Sequence, residues 1–286
     1  MIPSLFLIPL LGSLASGSLC GLLGFFMKRL NLSTASFMVA HAALAGAAIA
    51  MILALDQTLL AVISTLAAVQ AISLLGHSNG GQREALSMSL FSLFNSIALL
   101  SIYFSNTTVL ATFQLSSLLW GSVLALTFEK LLLLLTIFAA FFIYLTLNRR
   151  RLDSMLFDLK LAEAEGVDVM LHLSLLLIFI GLVVSFSLQL VGGFLVFSLL
   201  YNPVTASTQL TKNASKQQLF SPILGGSSAF IGFLLSYLFN LPVGATISIT
   251  SVTVVLLAFT IRASHDRIKL KKTGNLGVEL FNTPIG

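Results

Sequence analysis

The segment NRRRLDSMLFDLKLAEAEGVD, from Asn148 to Asp168, is a polar island between two long apolar runs of the chain. Its apolar side chains recur at intervals of three and four residues, at Leu152, Met155, Leu156, Leu159 and Ala162. This spacing predicts a single amphipathic helix over 152–165, with charged side chains at most of its other positions. Gly166 follows, where a glycine commonly ends a helix. A short charged helix between two apolar spans is expected to be a docking point for a second protein.

The composition of the whole chain is that of a membrane protein. Of the 286 residues, 57% are hydrophobic and 9% are charged, whereas a soluble domain is usually about 25% charged. Windows of about 20 apolar residues predict an all-α, polytopic membrane protein with about eight or nine transmembrane helices, near residues 5–27, 37–55, 59–75, 85–104, 131–147, 170–190, 193–206, 223–239 and 244–261. The seventh is short enough to be a broken or partial span, and residues 113–127 are predicted to form an interfacial or re-entrant helix. We expect residues 1–286 to form one transmembrane domain.

The basic residues predict how the chain is oriented. On this assignment fourteen of the fifteen Lys and Arg residues share one side of the membrane, and Lys130 alone lies on the other. Because basic loops are retained in the cytoplasm, the N-terminus is predicted to lie outside and the C-terminus inside. Residues 148–168 then form a cytoplasmic loop and residues 263–286 a cytoplasmic tail. The net charge of +5 arises from these loops and does not indicate binding to nucleic acid.

Small residues and the single cysteine bear on packing and chemistry. Gly17, Gly21 and Gly24 form a ridge in the first span that includes one G-x-x-x-G pattern. Such a ridge predicts a close approach of a second helix. Cys20 is the only cysteine, which excludes a disulfide within the chain and any multi-cysteine metal site.

Motifs for catalysis are absent from the sequence. It contains no G-x-x-x-x-G-K-[ST], H-E-x-x-H or G-x-S-x-G pattern, which argues against nucleotide hydrolysis and against the common hydrolase mechanisms. The predicted spans are nearly devoid of carboxylates, whereas a proton-coupled carrier normally needs ionisable groups at membrane depth. We therefore expect a transport subunit, not an enzyme, that binds no cofactor and is driven by ATP hydrolysis in a separate chain. A secondary carrier that needs no ATPase is the alternative from another class.

Several segments, taken in order, resemble the membrane subunit of the ABC importers for zinc, manganese and iron. The segment FMVAHAALAGAAIA (Phe37–Ala50) is similar to that family's GDALSHAxLPGxALA signature, and LFDLKLAEAEGVDV (Leu156–Val169) is similar to its FDPEFARALGI segment. VGGFLVFSLLYNPVTAS (Val191–Ser207) resembles VGxLLVxALLxxPAATA, and SYLFNLPVGATISI (Ser236–Ile249) resembles SYxxDLPxGPxIVL. The run REALSMSLFS from Arg83 also stands at the expected place. The order and spacing match across nearly the whole chain.

The resemblance implies a fold, a function and a set of partners. The fold is the vitamin-B12-importer-like (type II) permease architecture, as a homodimer among the lipids of the inner membrane of a prokaryote. The function is the import of a divalent metal ion, with an ABC ATPase subunit on the cytoplasmic side and an extracytoplasmic metal-binding protein on the other. A permease of the same fold for a different cargo, such as a metal chelate, is the alternative.

The resemblance also assigns roles to individual residues. It places His41 in the translocation pathway, as a candidate metal ligand, and Gly46 at the signature glycine. The family's carboxylate, four residues before the histidine, is replaced by Phe37, so we expect at most transient contact of a cation with His41. ATPase coupling is assigned to the cytoplasmic loop, through Leu156, Phe157, Asp158, Leu159, Ala162, Glu163 and Gly166.

Each of these assignments has a structural alternative. His41 is also consistent with a packing histidine that is hydrogen-bonded to a backbone carbonyl. The loop helix could lie on the membrane surface, but such helices are usually rich in Lys and Arg, and here Asp158, Glu163 and Glu165 favour docking to a basic protein groove. Asn202 and Pro203 are predicted to interrupt the short seventh span, either to line a cavity or only to kink the helix.

Overall fold

The protein is all-helical over the residues that its structure, a computed structural model, describes. These are residues 4–75, 80–105, 118–119, 121, 127–192 and 196–281. Within them the chain contains no strand, and its helices are α1 Ser4–Arg29, α2 Ser33–Leu53, α3 Gln57–Leu75, α4 Gly80–Ser105, α5 Phe128–Leu147, α6 Arg149–Phe157, α7 Leu159–Ala164, α8 Val169–Val191, α9 Val196–Leu210, α10 Ala214–Phe239 and α11 Val243–Phe281.

Eight of these helices are long and apolar enough to cross a membrane, namely α1 to α5, α8, α10 and α11. This confirms the predicted all-α polytopic fold. The predicted seventh span corresponds to α9, which has 15 residues and extends about 22 Å at 1.5 Å per residue. By itself it is shorter than a hydrocarbon core of about 30 Å, which agrees with the prediction of a short or partial span. The interfacial helix predicted over 113–127 lies largely outside the described residues.

Helix α2 lies at the centre of the bundle, between α3, α4 and α8. It is apolar all round, as expected of a helix with no face towards water, and most of its buried residues are alanines. Such small side chains allow neighbouring helices to approach closely. At Gly46 the approach is so close that a β-carbon would collide with the backbone carbonyl of Leu60 in α3. Gly46 is thus a packing residue between α2 and α3.

The predicted glycine ridge packs α1 against α10 and α9. A β-carbon on Gly17 would meet the carbonyl of Gly225, and one on Gly21 would meet the carbonyl of Ser221. A β-carbon on Gly24 would likewise collide with the carbonyl of Leu200 in α9. The first span therefore uses all three glycines for close contact.

The polar segment from Asn148 to Asp168 forms two helices, so the prediction of a single helix over 152–165 is wrong. The break lies at Asp158, whose backbone is extended (φ −158°, ψ 129°). Its carboxylate accepts hydrogen bonds from the backbone N–H groups of Lys160 and Leu161, both at 2.9 Å. An aspartate that caps a new helix in this way competes with continuation of the preceding one.

The end of the segment agrees with the sequence. Gly166 has a positive φ of 85°, and its N–H donates to the carbonyl of Glu163 at 3.0 Å. The N–H of Val167 donates to the carbonyl of Ala162, also at 3.0 Å. These two bonds form the Schellman motif, in which a glycine is favoured because it tolerates the left-handed conformation.

A second correction concerns α9, which Asn202 and Pro203 do not interrupt. The helix runs without a break from Val196 to Leu210 with Pro203 buried inside it. Two side-chain hydrogen bonds hold it against α11: the Asn202 amide donates to Ser251 Oγ at 2.8 Å, and Ser198 and Ser248 share a bond of 2.8 Å. This packing supports the helix where proline removes a backbone donor.

Candidate functional site

His41 lies on the central helix and is nearly buried, with 7% of its surface exposed. Its Nδ1 is 2.9 Å from the carbonyl oxygen of Phe37, one turn earlier in α2. Its ring meets that of Phe91 in α4 edge-on, with the centroids 4.5 Å apart. Because a carbonyl can only accept, Nδ1 carries the proton, and in the neutral ring Nε2 then bears the lone pair. Metal-binding histidines are commonly oriented by such a bond from the other nitrogen.

Phe37 belongs to an aromatic cluster between α2 and α9. Its ring centroid is 5.8 Å from that of Phe197 and 6.5 Å from that of Tyr201. The Lys28 ammonium lies 5.5 Å from the Tyr201 centroid, a cation–π distance, and donates to Thr205 Oγ1 at 3.3 Å. The position that would carry the family's carboxylate is therefore apolar and aromatic, with a cation nearby.

The set of possible metal ligands around His41 is small. Among the described residues, no group of three or more His, Cys, Asp or Glu side chains is close enough to hold a metal ion. A divalent cation normally prefers several nitrogen or oxygen donors. The surroundings of His41 in one chain thus fit brief contact with a passing ion better than a resident metal centre.

The other candidates for the pathway are distributed over the bundle. Gly46 faces α3 rather than the aromatic cluster. Asn202 and Pro203 lie on α9, next to Tyr201, and Asn202 is engaged with α11. The structure therefore brings Phe37 against α9, places His41 one turn further along α2 against α4, and leaves Gly46 as a packing position.

The polar loop between α5 and α8 presents a second candidate surface. Phe157 is 82% exposed and Leu161 is 45% exposed, so this polar loop presents two large apolar side chains at its surface. Asp158 and Glu163 are exposed beside them, whereas Ala162 is fully buried. Leu156 and Leu159 are half-buried and pack on the core. We call the exposed set Phe157, Asp158, Leu161 and Glu163 the loop surface.

Sequence reasoning missed several members of these sites. Leu161 lies off the predicted apolar stripe, so its exposure follows from the pattern, but it was not among the residues assigned to ATPase coupling. Phe197 and Tyr201 were inside a quoted segment, but nothing in their spacing relates them to Phe37. Phe91 likewise stands in the REALSMSLFS run without any local signal for a contact with His41.

Among the described residues, eight helices long and apolar enough to cross a membrane, together with an exposed polar loop, are typical of a multi-pass membrane protein. The chain belongs to the ABC 3 transport family, whose model matches residues 4–262. This confirms the resemblance that the ordered sequence segments indicated.

Relatives of similar length are named as transport proteins. The chain is 26% identical to the manganese transport system membrane protein MntC of Listeria monocytogenes, over 92% of each chain. It is also 26% identical to the manganese import system permease protein ScaB of Streptococcus gordonii, over 92% of this chain and 93% of that one. Both names describe a membrane component of a transport system, as predicted for a transport subunit.

A solved structure has the same fold. The chain superposes on one in the structure of PsaBC from Streptococcus pneumoniae in complex with Fab, with a TM-score of 0.79. The two are 23% identical, and the match covers 94% of this chain and 95% of the other. The predicted type II permease architecture is thereby confirmed.

Proposed function

We propose that this chain is the membrane-spanning subunit of an ATP-driven importer of a divalent metal ion, with manganese as the first candidate among manganese, zinc and iron. The observation that carries the proposal is the match along nearly the whole chain to two permeases named for manganese. The described residues around His41 suit an ion that passes through, because they offer few ligands to retain it.

The proposed mechanism assigns ATP hydrolysis to a partner. An ABC ATPase subunit would bind the loop surface from the cytoplasm, and its closure would press on α6 and α7. These helices join α5 to α8, and α8 packs on the central helix α2. Movement of the loop would thus tilt the spans beside His41 and alternate the access of the pathway between the two sides.

Two further partners belong to the proposal. A second copy of this chain would complete the pathway as a homodimer, and an extracytoplasmic metal-binding protein would deliver the ion. The chain itself would bind no cofactor.

The test is metal uptake by cells that express the chain together with an ATPase and a binding protein encoded beside it. We expect manganese to accumulate in these cells, as measured by elemental analysis, and to remain at background when the ATPase carries an inactivated P-loop. Accumulation that is unaffected by the inactivated ATPase would favour a secondary carrier. The cells without the permease gene serve as the control.

A metal chelate is a second candidate cargo, and the aromatic cluster favours it. Phe37, Phe197 and Tyr201 offer apolar rings where a bare ion would need oxygen or nitrogen donors, and Lys28 lies near them as a cation. Such a surface suits an organic ligand that carries negative charge. The same uptake assay with pre-formed chelates distinguishes the two cargoes.

The proposed orientation places the loop surface in the cytoplasm. We expect a cysteine introduced as Arg150→Cys to react with a membrane-impermeant maleimide only after the cells are opened, whereas Asp56→Cys reacts in intact cells. Both positions are exposed, and the background variant Cys20→Ala removes the only native thiol, which is buried. Labelling of Arg150→Cys in intact cells would reverse the orientation and remove the loop surface from the reach of an ATPase.

A further inference from the structure

A groove of about 610 Å³ lies at one end of the bundle, between α1, α5, α6 and α10. Its apolar wall is formed mainly by aromatic and leucine side chains, among them Leu22, Phe26, Phe138, Phe142 and Leu219. Phe142 and Leu219 are more than half exposed. The groove is therefore open on its outer side, towards the surroundings of the helix bundle.

The polarity of the groove changes in the same direction along both of its longest walls. On α5 and α6 the lining runs from Phe138 and Phe142 to Arg149 and then Asp153. On α10, which runs the opposite way, the lining begins with Ser215 and Gln218, and Leu219 and Pro222 follow deeper in the groove, so that its polar end lies beside Arg149. The groove thus has one polar end and one apolar end, like a phospholipid.

Its length fits one leaflet of a bilayer. Phe138 lies nine residues before the end of α5 at Leu147, which is about 14 Å at 1.5 Å per residue, and Arg149 begins the next helix. Half of a hydrocarbon core is about 15 Å. The apolar part of the groove therefore extends about as deep as an acyl chain would.

The polar end of the groove contains one guanidinium, Arg149, and one carboxylate, Asp153. Arg149 lies in the run Arg149–Arg151, and its Nε is 3.9 Å from the Asp153 carboxylate in an ion pair exposed to solvent. An exposed pair of this length contributes little and engages one of the five N–H donors of the guanidinium. The others can reach a phosphate, for which a planar guanidinium is well suited.

We propose that this groove binds an anionic phospholipid, with an acyl chain along Phe138 and Phe142 and the phosphate at Arg149. Basic pockets between helices at the cytoplasmic side of membrane proteins bind such head groups, and the assignment to the cytoplasmic leaflet rests on the orientation under the proposed function. A second copy of the chain is the less suitable occupant, because Arg149 and Asp153 would be buried at that interface and buried charge is unfavourable. The pathway candidates also lie elsewhere, on α2, α4 and α9.

A lipid bound in the groove would also affect the position of the loop between α5 and α8. Leu152 lines the groove from α6 and is buried there. The same helix ends at Phe157, the first residue of the loop surface. A bound lipid would thus hold α6 in place and with it the surface that we propose for the ATPase.

The experiment measures lipid retained by the purified permease alone, by native mass spectrometry, so that it is independent of transport and of the proposed cargo. The probes are phosphatidylglycerol and phosphatidylcholine with identical acyl chains. We expect one phosphatidylglycerol to be retained in preference to phosphatidylcholine. Arg149→Gln should lower this retention about fivefold, the usual effect of one basic residue at an anionic surface.

Matched variants distinguish specific binding of the lipid in the groove from non-specific attraction of anionic lipid to the basic residues. Arg150→Gln removes the neighbouring charge, which does not line the groove, and Asp153→Asn breaks the ion pair while it keeps Arg149; both should retain the lipid. Leu219→Trp fills the groove and should displace it, whereas Ile223→Trp, one turn further along α10 and also exposed, should not. Equal losses from both arginine variants, equal retention of both lipids, or full retention by Leu219→Trp would overturn the proposal. So would a detergent-stable dimer that Leu219→Trp dissociates without any change in bound lipid.

Discussion

The double variant Phe157→Ala, Leu161→Ser is expected to abolish ATP-dependent uptake while the permease remains folded in the membrane. In the single chain Phe157 is 82% exposed and Leu161 is 45% exposed, so their truncation removes only part of the contact that stabilises the fold. If they are buried by the ATPase, the aromatic residue is a typical anchor of an interface, and each loss weakens association by about 2 kcal/mol. Together they would reduce affinity roughly a thousandfold.

The measurement is co-purification of the ATPase with the tagged permease, alongside permease abundance in the membrane. Phe128→Ala is the matched control, because Phe128 is also an exposed aromatic residue but begins α5 at the end away from the loop. Normal capture of the ATPase by the double variant would mean that the loop surface is not the docking site.

The charge of the loop surface is tested in the same assay. Glu163→Lys should weaken capture if the partner groove is basic, because like charges would then meet. Asp158 needs a milder change, since its carboxylate also caps α7 and lysine would lose that cap. Asp158→Asn keeps a capping oxygen and removes only the charge, so any loss of capture can be attributed to electrostatics.

The contrast between Asp158 and Gly166 shows how far periodicity could predict the structure of the loop. The stripe from Leu152 to Ala162 correctly indicated which residues face the bundle, and the glycine correctly marked the end. The break at Asp158 was missed, because periodicity records which side chains are apolar and not that a carboxylate can bond two backbone N–H groups.

The aromatic cluster shows a second limit of prediction from sequence, which concerns contacts between residues far apart in the chain. The sequence identified Phe37 as the replacement for a carboxylate, and this alone predicted weak cation binding. Its partners Phe197 and Tyr201 lie about 160 residues later, and only the packing of α9 near α2 brings them to the same place. Likewise, Pro203 indicated an interruption, but tertiary contacts with α11 override the local preference of proline.

His41→Ala is expected to reduce uptake at least tenfold without lowering the amount of permease in the membrane. The carbonyl of Phe37 lies inside a helix, where it already accepts a backbone hydrogen bond, so the loss of the imidazole leaves no buried acceptor unsatisfied. Phe91→Leu is the control for packing, because it weakens the ring contact and retains His41. If His41 serves only in packing, both variants should lower permease abundance to a similar extent.

Phe37→Asp is the complementary change, and we expect it to create a cation affinity that the native permease lacks. Residues separated by four positions share one helix face, so the new carboxylate and the imidazole of His41 would both approach an ion in the pathway. A carboxylate and a nitrogen are donors that zinc and manganese accept, and two copies in a dimer would supply four. Binding is measured by calorimetry with manganese and with zinc on the purified permease, with Phe37→Asn as the control that adds an amide without a charge.

The new carboxylate at position 37 would lie near Lys28, which lies over Tyr201, and an ion pair with Lys28 would compete with binding of the metal ion. The combination with Lys28→Gln should therefore bind more tightly than Phe37→Asp alone. A stable Phe37→Asp permease with unchanged affinity for both metals, in either background, would show that position 37 does not face the path of the ion.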